Sequence, residues 1–221
     1  MRNKSNILFL FFLTVPMLFF AQDQLTSQGY LFDVFENGKV VYKKGGTAQG
    51  LFNYDAVGEK LLFMANGEVM ELTNPSIIDH VDVGGRVFEH VGRGVFYEKV
   101  SGEGMPFYIK WKSNIESDGK RGAYGTVSKI SSISTKQSLD NGITAVEQLN
   151  LAEDYSVRFA NTYYIKQGNK YKRFNSFDAL AKLFKGHEND IKKYVEAETA
   201  DFKNLENIQK IVAYCSQFVK E

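Results

Sequence analysis

Between Tyr30 and Trp111 a turn signal falls about every ten residues, and this punctuation constrains the fold more than any other feature of the chain. Asn37-Gly38, Gly45-Gly46, Asn66-Gly67, Asn74-Pro75, Gly84-Gly85, Gly92 to Gly94 and Gly102 to Gly104 separate short runs of apolar and β-branched residues. Such runs are short for helices, and turn residues at even spacing fold an extended chain back on itself. The expected strands are 30–35, 39–43, 47–53, 60–65, 68–72, 77–83, 86–91, 94–100 and 107–112. They predict an antiparallel meander that forms either an open barrel or a sandwich.

Two of these turns also set a register. Asn66-Gly67 suits a two-residue type I′ turn, which needs positive φ at both central positions and places Met64 opposite Val69, Phe63 opposite Met70 and Leu62 opposite Glu71. That hairpin is apolar on both faces for most of its length, so it is expected in the middle of the sheet. Gly84-Gly85 in turn sets Val83 against Arg86, Val81 against Phe88, His80 against Glu89 and Asp79 against His90, with alternate pairs on alternate faces.

Beyond Ser113 the pattern loosens into expected edge strands and long loops as far as Asn150. Strand character returns from Tyr155 to Ile165, and the next hairpin tip has two possible turn pairs, Gln167-Gly168 or Gly168-Asn169. After Arg173 the apolar period changes from 2 to 3.6. Ser176 is the expected N-cap of a helix carrying Phe177, Leu180, Ala181 and Phe184 and ending at Gly186. A second helix is expected from Glu188 to Glu198. A third, after Asn204, aligns Leu205, Ile208, Ile211, Val212, Cys215, Phe218 and Val219 on one stripe. So short a tail holds little core of its own, and the three helices are expected to dock on the sheet. The fold class is α+β, mainly β, with a β-rich domain over 22–174 and a helical segment over 175–221.

The first residues read as an address. Arg2 and Lys4 precede an apolar run from Ile7 to Phe20, broken by Thr14 and Pro16, and Ala21 is the expected cleavage position of a secretory signal peptide spanning 1–21. The run is shorter than the roughly 20 residues a membrane-crossing helix needs. Its removal takes away two bases and no acid, turning the +1 of the full chain slightly negative. A near-neutral balance excludes nucleic acid as the expected partner. With one cysteine, the chain holds no internal disulfide, so 18 Phe and 12 Tyr must supply packing first and binding second.

Candidate chemistry is sparse. His80 facing Glu89, and His90 facing Asp79, place imidazoles beside carboxylates, which could serve acid-base chemistry; His80 with Asp82 could begin a metal site. The alternative is two cross-strand ion pairs, on opposite faces and unable to converge on one metal. Lys166, Lys170, Lys172 and Arg173, interleaved with Tyr163, Tyr164 and Tyr171, have the composition of an anionic-glycan or nucleic-acid surface, or of a solvated strand face. Cys215 sits on an apolar stripe and reads as a core thiol. Phe107, Tyr108 and Trp111 read as core rather than a sugar platform. No P-loop or dinucleotide fingerprint is present, and no cofactor is expected.

The signal ending Phe19-Phe20-Ala21-Gln22, the segment Lys39-Val40-Val41-Tyr42 through Gly50-Leu51-Phe52-Asn53-Tyr54-Asp55 to Leu62-Phe63, and the tail Tyr163-Tyr164-Ile165 through Ala181-Lys182-Leu183-Phe184 to Ile191-Lys192-Lys193-Tyr194 and Asp201-Phe202-Lys203 resemble uncharacterised exported proteins of the Bacteroidetes type. The resemblance implies periplasmic or secreted residence and transfers no catalytic residue. The expectation is a non-enzymatic envelope module that binds a protein or a small hydrophobic or glycan ligand. The alternative is a periplasmic hydrolase or isomerase working through carboxylate and histidine. The binding candidates are His80, Glu89, Asp79, His90, Tyr164, Lys170, Tyr171, Lys172 and Arg173.

Overall fold

The computed structural model describes residues 29–102, 104–117, 120–121, 127–128 and 155–219. The expected signal peptide and most of the loosely patterned region after Ser117 lie outside these residues. The strands are β1 (Glu36–Tyr42), β2 (Thr47–Asp55), β3 (Lys60–Ala65), β4 (Glu68–Glu71), β5 (Ile78–Val83), β6 (Arg86–Gly92), β7 (Val95–Val100), β8 (Phe107–Lys110), β9 (Ser113–Ser117), β10 (Lys120–Arg121), β11 (Val127–Ser128), β12 (Tyr155–Phe159), β13 (Thr162–Gln167) and β14 (Lys170–Phe174). The helices are α1 (Phe177–Ala181), α2 (Glu188–Ala197) and α3 (Leu205–Cys215).

Ten strands form one open antiparallel sheet in the order β14-β13-β8-β7-β6-β5-β1-β2-β3-β4. Both expected hairpin registers are present, with Met64 opposite Val69 and His80 opposite Glu89. The ladder between β5 and β6 ends at His80 and Glu89, however, so Asp79 and His90 do not pair as expected. Opposite β1, Val41 pairs with His80 while Tyr42 pairs with Ile78, which leaves Asp79 as the extra residue of a bulge. Residues 30–35 are a further departure from expectation. They form an irregular lead-in anchored by the Asn53 side chain, whose amide donates to the carbonyls of Phe32 and Val34.

The β3–β4 hairpin sits at the sheet edge, against the expectation of a central position. After Glu71 the chain passes through Asn74, at φ 53°, and Pro75, and returns as β5 on the far side of β1. β4 therefore keeps one neighbour, and Met70 is left exposed.

The sheet coils so that its first strands lie over the later ones. The Tyr54 ring of β2 stacks on Phe88 of β6 at 5.6 Å, and its hydroxyl donates to the Trp111 carbonyl at 3.3 Å. Ser113 N–H donates to the Ala56 carbonyl at 2.8 Å, and Glu59 in the β2–β3 turn pairs with Lys110 and Lys112. The inner face is lined by Val40, Phe52, Tyr54, Leu61, Val81, Phe88, Phe96 and Ile109, all buried.

The helices close the remainder of that inner face. Ser176 caps α1 through its hydroxyl, and Asn204 caps α3 by accepting from Glu206 and Asn207 N–H. α1 ends five residues short of Gly186, in a series of turns. Leu180, Ile191, Ile208, Ile211 and Cys215 are fully buried in the same cluster as Phe107, Ile165 and Phe174 of the sheet. Docking on the sheet, rather than a separate helical core, is what the short tail requires.

Candidate functional site

The face of β6, β7, β8, β13 and β14 turned away from the helices carries a group of residues drawn from across the chain. Alternation along each strand and the ladder registers bring it together. Ile165 and Phe174 point to the core, so Tyr164, Lys166, Tyr171 and Arg173 point outward, with Tyr164 opposite Arg173 and Lys166 opposite Tyr171. Tyr164 also faces Tyr108 on β8, which faces Lys99 on β7. Tyr97, two residues before Lys99, faces Glu89 on β6, and Glu89 faces His80 on β5.

The aromatic rings interlock. Tyr97 and Tyr164 stack at 4.7 Å with planes 15° apart, and Tyr171 meets Tyr97 edge-on at 5.5 Å and Tyr108 edge-on at 4.9 Å. Tyr108 is buried at the base of the group, while Tyr97, Tyr164 and Tyr171 are half-buried. The Lys166 ammonium lies 5.5 Å from the centre of the Tyr171 ring, within cation–π range.

Glu89 is the electrostatic centre of this face. Its carboxylate pairs with Lys99 at 2.8 Å and accepts from the Tyr108 hydroxyl. Burial, then the negative charge of Glu89, raises the Tyr108 phenol above its ordinary range; Tyr171 is raised in the same way. Tyr97 is raised by burial and by its hydrogen bond to Tyr164. These phenols stay neutral at any physiological pH and present O–H groups beside a fixed ion pair.

The expected residues do not act as the pairs the sequence suggested. Glu89 turns to Lys99 and Tyr108, and His80 instead lies 2.8 Å from Asp79 and 3.7 Å from Asp82. His90, on the inner face, packs on Phe96 at 5.4 Å, and its Nε2 is buried without a hydrogen-bond partner. Burial and nearby Lys43 lower its pKa. Lys170 and Lys172 are exposed on the helix side of β14, opposite Gln167 and Ile165, and so leave the tyrosine group to Tyr164, Tyr171 and Arg173.

Sequence reasoning missed Tyr97 and Lys99 altogether and placed Tyr108 only as core. The available signal was parity: once Glu89 faces outward, the next hairpin puts Tyr97 and Lys99 on the same face. It missed a second group inside the coil. There the Arg86 guanidinium reaches Glu98 through Nε at 2.8 Å and Nη2 at 2.5 Å, and the Trp111 indole N–H donates to the same carboxylate. Trp111 and Phe107 are buried, as expected of core residues.

Among the described residues no group of three or more His, Cys, Asp and Glu side chains is placed to hold a metal ion. A broad, shallow depression of about 710 Å³ lies over β1, β2 and the Gly84-Gly85 turn, walled by the Lys39–Asp82 ion pair, and does not include the tyrosines. The tyrosine face, unlike this depression, combines aromatic surface with several convergent polar groups. Compared with family models, with curated proteins and with solved structures, the chain matches none of them.

Proposed function

We propose that this protein is an exported, non-enzymatic binding module of the cell envelope whose ligand surface is the tyrosine face. The observation that carries the reading is the meeting of Tyr97, Tyr108, Tyr164 and Tyr171 around the Glu89–Lys99 pair, on the side of the sheet that the helices leave uncovered. Tyrosine supplies large contact area with little side-chain entropy to lose and a polar tip for orientation, and so suits recognition. The signal-like start and the resemblance to exported proteins support the address.

A second reading, a periplasmic hydrolase or isomerase, draws on His80, which two carboxylates flank on the same outer face. Photo-crosslinking residues placed at Lys166 and, as a control, at Val34 separate the two readings when the chain is incubated with an envelope fraction from a bacterium of the Bacteroidetes type. A crosslink from position 166 alone, lost in Tyr97→Ser/Tyr164→Ser, is the expected result. Turnover in a hydrolase screen that disappears in His80→Ala would overturn it.

A further inference from the structure

We propose that the tyrosine face binds an acidic glycan, with sugar rings resting on Tyr164 and Tyr171 and uronate carboxylates meeting Arg173 and Lys166. The inference rests on the binding-module reading above and names its ligand.

The charge balance of the face is the first argument. Four cations project from its strands β7, β8, β13 and β14: Lys99, Lys110, Lys166 and Arg173. Lys99 is neutralised by Glu89 and Lys110 by Glu59. Lys166 and Arg173 are exposed and pair with no acid among the described residues, and each stands directly across from a tyrosine, Tyr171 and Tyr164 respectively. A guanidinium there can fork onto a carboxylate, and an ammonium above a ring can hold a second one.

The character of the surface is the second. The desolvated centre of a protein interface is its most apolar part, with large apolar side chains set beside the Tyr and Arg that such centres also use. Among the described residues the large exposed apolar side chains, Val34, Leu51, Met70, Ile77, Phe159 and Val219, all lie off β6, β7, β8, β13 and β14. In their place stand neutral phenols around a carboxylate, which suits a ligand rich in hydroxyl groups. From Glu89 on β6 to Arg173 on β14 the strip crosses four strand gaps, about 19 Å, which suits an extended chain better than a compact molecule.

The blunt alternative is that basic residues on β14 protect a sheet edge from pairing. Lys170 and Lys172 serve that purpose on the helix side. It does not account for Lys166, which lies on the penultimate strand beside the tyrosines.

Titration calorimetry on the purified chain tests the proposal, with a hexameric oligogalacturonate, its methyl ester, maltohexaose and polyuridylate as probes. The oligogalacturonate is expected to bind about tenfold or more tightly than its methyl ester, and to weaken with salt. Arg173→Gln and Lys166→Gln are each expected to weaken it by about tenfold, Tyr164→Ser to abolish it, and Lys170→Gln to leave it within about twofold. Trp111 fluorescence on thermal unfolding checks that every variant is folded. Equal binding of maltohexaose would overturn the acidic preference and leave a glycan module. Tighter binding of polyuridylate would assign the face to single-stranded nucleic acid and overturn the glycan. Failure of all four probes would overturn the ligand, while the crosslink from position 166 would still report on the module itself.

Discussion

Arg86 and Glu98 lie diagonally across β6 and β7 on the inner face of the coiled sheet, joined by two hydrogen bonds of 2.8 and 2.5 Å. The Glu98 side chain is only 9% exposed. The Arg86 guanidinium lies 4.8 Å from the Trp111 ring and 5.3 Å from Phe32. The arrangement ties the start of β6 to the end of β8 and to the irregular lead-in, three segments that share no hairpin.

Removing one partner of this group should cost far more than removing a surface pair. Glu98→Ala takes from the Arg86 guanidinium its two hydrogen bonds to that carboxylate and from the Trp111 indole N–H its acceptor, and a loss of about 3–5 kcal/mol is expected from urea unfolding followed by the fluorescence of the only tryptophan. Arg86→Met combined with Glu98→Leu should recover most of it. A loss below about 1 kcal/mol in the single variant would mean the pair is solvated.

Asp55 should make stability fall as pH rises through the weakly acidic range. It is buried, accepts from the N–H groups of Val57 and Gly58, and has its pKa raised to about 6, chiefly by desolvation. The folded state therefore holds its proton more tightly than the unfolded state, whose carboxyl titrates near 3.8. The Asp55 contribution is most favourable below about pH 4 and is lost by about pH 6. Asp55→Asn keeps an acceptor for both N–H groups, and denaturant titrations at pH 7.5 should find it more stable by a free energy of the order of 2–3 kcal/mol. No gain at that pH would refute the account.

His90 works in the opposite sense. Its lowered pKa means the unfolded state takes up the proton first, so its contribution weakens as pH falls below about 6.5. His90→Phe removes a buried, unpartnered nitrogen and should raise stability by about 1 kcal/mol near pH 6, measured as a shift in the urea midpoint.

Gly38 faces Gly50 across β1 and β2, and the Phe52 ring lies over both. A Cβ at Gly38 would stand 2.6 Å from that ring and 2.5 Å from the Asp82 carbonyl oxygen, whereas at Gly50 the closest approach is 3.2 Å. Gly38→Ala should therefore cost about 2–3 kcal/mol and Gly50→Ala clearly less, a difference that thermal melts of the two variants can resolve. Equal melting temperatures would show that the ring moves freely.

Cys215 should be inert in the folded protein. It is fully buried on α3, and desolvation pushes its thiol up to about 12. An aromatic disulfide reagent at pH 8 should label it only as fast as the chain unfolds. Labelling of the native state at the rate of free cysteine would place α3 off the sheet.

The legible parts of the fold were those in which a few neighbouring residues decide the geometry. Asn66-Gly67 and Gly84-Gly85 force a tight reversal and thereby a register; Ser176 and Asn204 offer a side-chain oxygen to the first free N–H groups of a helix. Tyr164, Tyr171, Arg173 and Glu89 were recognisable as surface chemistry, but their partners were not. Apolar side chains on both faces of the β3–β4 hairpin suggested a central place, and the return of β5 to β1 made that hairpin an edge.

Most strands from β2 onward, the three helices and the residues that alternate onto one face are legible in the sequence, because propensity, turn chemistry and period act over a few residues; residues 30–35, expected as a strand, are an irregular lead-in, and Asn37-Gly38, expected as a turn, lies inside β1. Packing of the folded chain pairs β13 with β8 across a long separation, extrudes Asp79 as a bulge and turns Glu89 from His80 to Lys99 and Tyr108. Pairing distant strands depends on which faces can be buried together, and lengthening a loop adds little to the cost of closing it, so no local signal marks the choice. The tyrosine face, assembled from strands on both sides of that long connection, is a product of the sheet order.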